Sequence, residues 1–423
     1  MTTHNDAVCG CPDFRTSRRT FLKGVGAAAG AGVFTSLVGD VFTEAHGGAP
    51  KGGSVLVVLS LRGGSDGLSL VVPHGDPGYA AARPTIAVPS ESLLVRDEMF
   101  GLHPGFAPLA QMWTDGGFGA VQAVGMPQPD RSHFSAMERV EDADPGSPDR
   151  VGWINRMVGL TGIGVPNQAI QLGTPMAPTA LFGPAETMAV SGLSNMALLG
   201  GDTPVEIQDR TRSALEQLWK GDTSLLGTSM ASTLQVTRDL STLARTTEPV
   251  QNGAQYPDGD LATSLQQTAR LIRADVGTQV VTIDYGSWDH HTDIGTVDDG
   301  ELTSMVRTMS ESLAAFFTEL GADAARVTLV TISEFGRTIS ENGSAGAEHG
   351  YGNCMLLLGA GVKGGEVHGR WPGLDSAELV DGDLGVSLDY RSVFAEIVAK
   401  RFPDASLSQV FPDFKPEDVG AMA

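Results

Sequence analysis

The chain is short of cysteine, of cationic side chains and of long apolar runs, and each shortage excludes something. Three cysteines stand in 423 residues. Cys9 and Cys11 precede an arginine pair in a segment expected to be removed, so the mature protein keeps Cys354 alone and no internal disulfide. Cys354 lies in an apolar run, which reads as a buried, inert thiol. Lys and Arg number 28 against 50 Asp and Glu, a net charge of −22. That balance argues against a nucleic-acid partner, which needs a cationic face. The apolar stretch from Gly24 to Gly39 is too short and too rich in glycine for a stable membrane span of about 20 residues. No internal repeat or low-complexity tract stands out.

What is present begins with an address. Ser17-Arg18-Arg19-Thr20-Phe21-Leu22-Lys23 is a twin-arginine export pattern, followed by the weakly apolar stretch and by small residues from Ala45 to Ala49 where a peptidase can cut. Residues 1–50 are therefore expected to be a signal peptide and short linker, with the twin-arginine translocase as a partner during export. Arg15, Arg18, Arg19 and Lys23 offset Asp6, Asp13, Asp40 and Glu44, so removal leaves the net charge unchanged. The hydrophobic fraction of 41% with 54 glycines and 23 prolines indicates a globular, loop-rich remainder.

Four apolar runs carry the fold. Ser54 to Leu61, Phe118 to Val124, Gln279 to Tyr285 and Val327 to Ile332 are short, rich in β-branched residues and bounded by glycine or turn residues, which is the pattern of strands buried on both faces. Met355 to Leu358 reads as a last strand. Thr303 to Leu320 spaces Met305, Met309, Leu313, Phe316 and Leu320 as a helix facing a sheet, and it joins the strands at 279 and 327 as a βαβ crossover. Helices are expected also at Leu261 to Ala274 and Tyr390 to Phe402. Residues 150–260 are mixed and read as an insertion or cap, with Pro175 to Val190 irregular.

Each strand ends in groups suited to chemistry, where α/β sheets gather ligands. The first is followed by Asp66, the second by Ser132 and His133, the third by Asp289, His290 and His291, and the fourth by Glu334 and Arg337. Glu348 and His349 follow closely. Asp289 and His291 sit two apart, a spacing that places both on one side of an extended segment. Carboxylates and neutral imidazoles together suit zinc, manganese or iron, and two such ions fix both attacking and leaving oxygens of a phosphoryl or sulfuryl displacement. Ser132 is then the nucleophile, or else the cap of a helix beginning at Phe134. Asp66 is either a ligand or a turn aspartate, and Glu334 either a ligand or a cap. Arg62 and Arg337 either clamp an oxyanion or pair with carboxylates. His290 is expected behind the ligands or exposed, and His103 and His368 structural.

Leu61-Arg-Gly-Gly-Ser-Asp-Gly-Leu68, Arg131-Ser-His-Phe134, Trp288-Asp289 with His291, Ser333-Glu-Phe-Gly-Arg337, Glu348-His-Gly350 and Gly364-Gly through Gly369-Arg-Trp-Pro372 together resemble the exported bacterial family called domain of unknown function 1501, grouped with the alkaline-phosphatase-like superfamily. The resemblance spans nearly the whole mature chain. It implies a three-layer sandwich with a mostly parallel central sheet and helices on both faces. It also implies metal ligands at Asp66, Asp289, His291 and His349, with Ser132 as nucleophile. Glu348 stands where that pattern has Asp, and the pattern's last histidine has no clear counterpart, His368 being a weak candidate. The modified Cys- or Ser-x-Pro-x-Arg sequence of the superfamily's sulfatases is absent, which disfavours an ordinary sulfatase.

The expectation is an exported α/β hydrolase of phosphate or related esters over residues 51–423. Two divalent ions are held by Asp66, Asp289, His291, Glu348, His349 and Glu334, with Ser132 and Arg337 catalytic. The alternatives are a non-catalytic exported binding or assembly module, and a sulfuric-ester hydrolase without the aldehyde.

Overall fold

The computed structural model describes residues 42–43 and 52–423, apart from 145–146, 162–163 and 201. The twin-arginine pattern lies outside the described residues. No helix among those described is long and apolar enough to cross a membrane.

The strands that position the site are β1 (Val55–Leu61), β2 (Phe118–Gly125), β3 (Ala169–Leu172), β4 (Met188–Val190), β5 (Val280–Tyr285), β6 (Val327–Ile332) and β7 (Asn353–Gly359). They lie in the order β4-β3-β5-β1-β6-β7-β2, with Phe42–Thr43 beyond β4, and Val367–His368 and Leu388–Asp389 both beside β2. From β4 to β6 every pairing is parallel. β7 alone of the seven runs against its neighbours, antiparallel to both β6 and β2. The carboxyl ends of β1, β2, β5 and β6 therefore share one edge of the sheet, and so does the amino end of β7. Residues just before Asn353 reach the same place as residues just after Leu61.

β1 shows why these runs become strands. All seven of its residues are buried, with Val55, Val57, Leu59 and Leu61 in one apolar cluster and Leu56 and Val58 in another. Alternate side chains of a strand point to opposite faces, so an unbroken apolar run has to be covered twice. One cover is α2 (Asp260–Arg273) and α3 (Glu301–Leu320), which bring Leu265, Ile272, Val306, Leu313 and Phe316 to the sheet. The other is built from α1 (His133–Asp142), the helix Trp153–Leu160 and α4 (Tyr390–Arg401), through Met137, Val140, Trp153, Ile154, Phe394 and Val398. The result is the expected three-layer α/β sandwich. Truncating one fully enclosed side chain, as in Leu59→Ala, costs about 2–5 kcal/mol.

The stretch read as an insertion contributes to the sheet itself: Ala169–Leu172 and Met188–Val190 are strands, and the latter falls in a segment expected to be irregular. Its helices are Val205–Leu218, Leu225–Asp239 and Ser241–Arg245. Cys354 is buried and free, and burial pushes its thiol well above the usual range, as an inert core residue requires.

Candidate metal centre

The loop after β1 makes the first contact. Gly63 adopts φ +117, and a Cβ there would stand 2.7 Å from the Asp289 amide nitrogen, so only glycine lets this loop lie against the segment after β5. Arg62 does not reach an oxyanion. Its guanidinium pairs with Glu141 at 2.6 Å and Asp284 at 2.9 Å.

Asp66 follows, and the structure places it apart from the other acids. It is fully buried, with Oδ2 2.6 Å from Arg83 Nη1, Oδ1 3.0 Å from Arg83 Nη2, and the Ser69 hydroxyl donating to Oδ2 at 2.6 Å. Burial pushes this carboxyl up, but the charge and hydrogen bonds of Arg83 more than offset it and hold it below the ordinary range. Its oxygens are taken by a guanidinium.

Asp289 and His291 lie on the exposed side of the segment after β5, while Trp288 and His290 turn inward, as a two-residue period demands. Of the two readings of His290, the exposed one is excluded, since it is only 3% accessible, and it lacks a hydrogen bond at either ring nitrogen. Burial lowers its pKa.

Arg337 is the support behind Asp289. Its guanidinium is fully enclosed and donates to the carbonyls of Gly64 at 2.6 Å, Ala347 at 2.9 Å and Trp288 at 3.2 Å, to that of Gly63, and to Asp289 Oδ1 at 2.5 Å. With those donors engaged, it is placed as a positioning group and not as an oxyanion clamp. Burial raises the Asp289 carboxyl, yet the hydrogen bond and charge of Arg337 more than offset it and hold it below the ordinary carboxylate range.

Three imidazoles converge on Asp289. His349 Nε2 is 3.1 Å from Oδ1, His291 Nε2 3.0 Å from Oδ1, and His133 Nε2 3.5 Å from Oδ2. The partners at the far side of each ring assign the tautomers. His349 Nδ1 faces the Arg131 carbonyl at 2.8 Å, His133 Nδ1 faces Glu334 Oε1 at 2.8 Å, and His291 Nδ1 lies 2.6 Å from Glu348 Oε2. Each of those groups accepts a proton, so each neutral ring carries its hydrogen on Nδ1 and turns a lone pair on Nε2 inward. His291 Nε2 and His349 Nε2 then face each other at 3.0 Å, and His133 Nε2 is buried without a hydrogen-bond partner. Lone pairs and a carboxylate aimed at one point repel unless a proton or a metal ion lies among them.

That donor set fits a divalent transition ion such as zinc, manganese or iron. The potential ligand atoms of His133, Asp289 and His349 all lie within 4.8 Å of one another, and the outer hydrogen bonds are those that orient metal-bound histidines. Two expected ligands move outward. Glu334 is buried and spans His133, the Gly63 amide at 2.8 Å and Ser333. Glu348 stands behind His291, fixed at 2.6 Å by the Asn342 amide, which lowers its pKa.

Ser132 is the N-cap residue of α1, with no hydrogen bond from its side chain to the first-turn amides. Its exposed hydroxyl is attached between Arg131, whose carbonyl holds His349, and His133. His133 is the member that sequence reasoning left unassigned; the signal was its position at the end of β2 beside Ser132. His103 and His368 are structural, accepting from the Gly105 amide and contacting the Lys363 carbonyl.

Fold and site define an α/β protein with an imidazole-rich centre at the carboxyl edge of its sheet. Among known families, the model for "Protein of unknown function (DUF1501)" matches residues 99–387, and the chain belongs to that family. No curated protein matches the sequence. Among solved structures, the chain is similar to the zinc complex of the C-terminal periplasmic domain of EcEptC from Escherichia coli, at 10% identity and TM-score 0.35, covering 88% of this chain and 92% of that one. It is similar also to a protein in the alkaline phosphatase superfamily from Vibrio parahaemolyticus, at 11% identity and TM-score 0.33 over 79% and 66% of the two chains. The PsFucS1 sulfatase from Pseudoalteromonas sp. gives 11% identity and TM-score 0.34 over 96% and 77%. Scores this low support no transfer of activity, so function is argued from the side chains.

Proposed function

We propose that the protein is an exported, metal-dependent hydrolase of phosphate or related esters, with His133, Asp289, His291 and His349 holding the ion. The observation that carries this reading is the convergence of three Nε2 atoms on Asp289, each ring fixed from behind by an acceptor. A divalent ion bound there supplies a lowered pKa for a nearby hydroxyl and neutralises charge on a transferring group.

The chain's own residues do the rest. Ser132 presents the hydroxyl that attacks in line, displacing the ester's alcohol and leaving a seryl ester that water then hydrolyses, and the amino end of α1, which the Ser132 side chain does not cap, receives the oxygens of the anionic group. Glu334, Glu348 and the Arg131 carbonyl keep the imidazole protons on the outer nitrogens. Arg337 keeps Asp289 ionised and aimed. Export by the twin-arginine route, which carries folded proteins, suits a site assembled from distant segments.

The test is hydrolysis by the full chain of a panel of phosphomonoesters, phosphodiesters and sulfuric esters, with metal, after chelation and after metal return. Activity is expected to vanish with chelator, to return with zinc or manganese, and to fall about 10³-fold or more in Ser132→Ala. Silence on every ester with the ion bound sinks the hydrolase and leaves an exported binding module.

A further inference from the structure

We infer that the centre takes one divalent ion, and that the buried guanidinium of Arg83 holds beside Asp66 the place that a second ion would need. This rests on the metal-centre reading above and narrows it.

The argument starts from donors. Among the described residues one group of His, Cys, Asp and Glu side chains converges with ligand spacing, and Asp66 is not in it. Asp66 offers two carboxylate oxygens, and Arg83 covers both in a two-pronged contact at 2.6 and 3.0 Å. The guanidinium is locked on its other side as well, donating to Ser69 Oγ at 3.1 Å, the Thr338 carbonyl at 2.8 Å and the Ile339 carbonyl at 3.0 Å. An ion approaching Asp66 would have to expel a charge whose own exits are closed, from a pocket where both partners are fully buried.

Charge leads to the same count. Asp66 and Arg83 neutralise each other away from the centre, while Asp289, Glu334 and Glu348 touch the centre or its supports and Arg337 is the cation bonded to Asp289. Neutral imidazoles add nothing, so three negative groups against one positive one leave two negative charges. One divalent ion cancels them, whereas a second would leave two positive charges without a carboxylate partner among these groups. Arg337 adds a steric argument, because it joins Asp289 to the carbonyls of Gly63 and Gly64 just before Asp66 and so fills the path between the two acids.

The experiment is metal counting on the full chain, loaded with Mn²⁺ or Zn²⁺ and freed of excess, by elemental analysis, with the electron paramagnetic resonance spectrum of the manganese form as a second readout. One ion per chain and the spectrum of an isolated Mn²⁺ are expected. His133→Ala should lose the ion, and Asp66→Asn/Arg83→Met, which removes both charges together, should keep it. Two ions per chain, or a spin-coupled spectrum, overturns the inference while preserving the metal-dependent reading. No bound ion at all overturns both. Should the double variant fail to fold, the count and the spectrum of the unaltered chain still decide.

Discussion

Asp66 and Asp289 follow neighbouring parallel strands, β1 and β5, and are both held by arginine, yet they have opposite characters. Asp66 is sealed at 0% exposure with both oxygens occupied, whereas the Asp289 side chain is 45% exposed and shares its surroundings with the Nε2 atoms of three imidazoles. The first arrangement is complete as it stands and serves the fold. The second leaves three ring nitrogens gathered at an accessible carboxylate, and on the proposed reading a metal ion completes it. Position at the end of a strand does not by itself make a ligand.

The largest expected departure from this contrast comes on the closed side. Arg83→Met leaves a buried, unpaired carboxylate, and stability should fall by about 3–5 kcal/mol, read as the denaturant midpoint of the metal-free protein. A loss under about 1 kcal/mol would show that Asp66 is open to solvent after all. On the open side, Glu348→Gln should leave the midpoint within about 0.5 kcal/mol and weaken ion binding by about 10–100-fold, measured by titration against a competing chelator. Equal losses in both measurements would erase the distinction between the two regions.

A smaller effect sharpens it with pH. His103 is 1% exposed, and burial lowers its pKa to about 4 from an unfolded value near 6.5. Its neutral Nδ1 accepts from the Gly105 amide at 3.0 Å. A depressed folded-state pKa means that this contribution is complete above pH 6.5 and is lost as pH falls towards 4. Thermal melts of the metal-free chain should therefore decline across that window, and less so in His103→Asn. A flat profile in both proteins would remove His103 from the account.

The sandwich was legible because its central strands are unbroken runs of Val, Leu and Ile, which have no stable place except between two covers. β3 and β4 were not, since four and three residues amid turns carry too little period to register. At the site, the Asp289 and His291 spacing gave their shared side directly. The fate of Asp66 was hidden in Arg83, one arginine in a turn-rich loop 17 residues on, whose pairing depends on the helix Pro77–Ala82 folding back. Glu334 and Glu348 looked like ligands because sequence reports charge but not which side of a ring the charge will occupy.

β7 alone runs backwards in the middle of the sheet, so the connection from Ser333 to Gly352 leaves and returns at the same edge. Within it, Arg337 and His349 pair as a short antiparallel bridge. That one excursion carries His349, one of the four side chains of the centre, together with the bracing groups Glu334, Arg337, Asn342 and Glu348. It is a cassette, bounded by two strands that need not change, and altering it would rewrite the chemistry of this edge without disturbing the architecture that carries it.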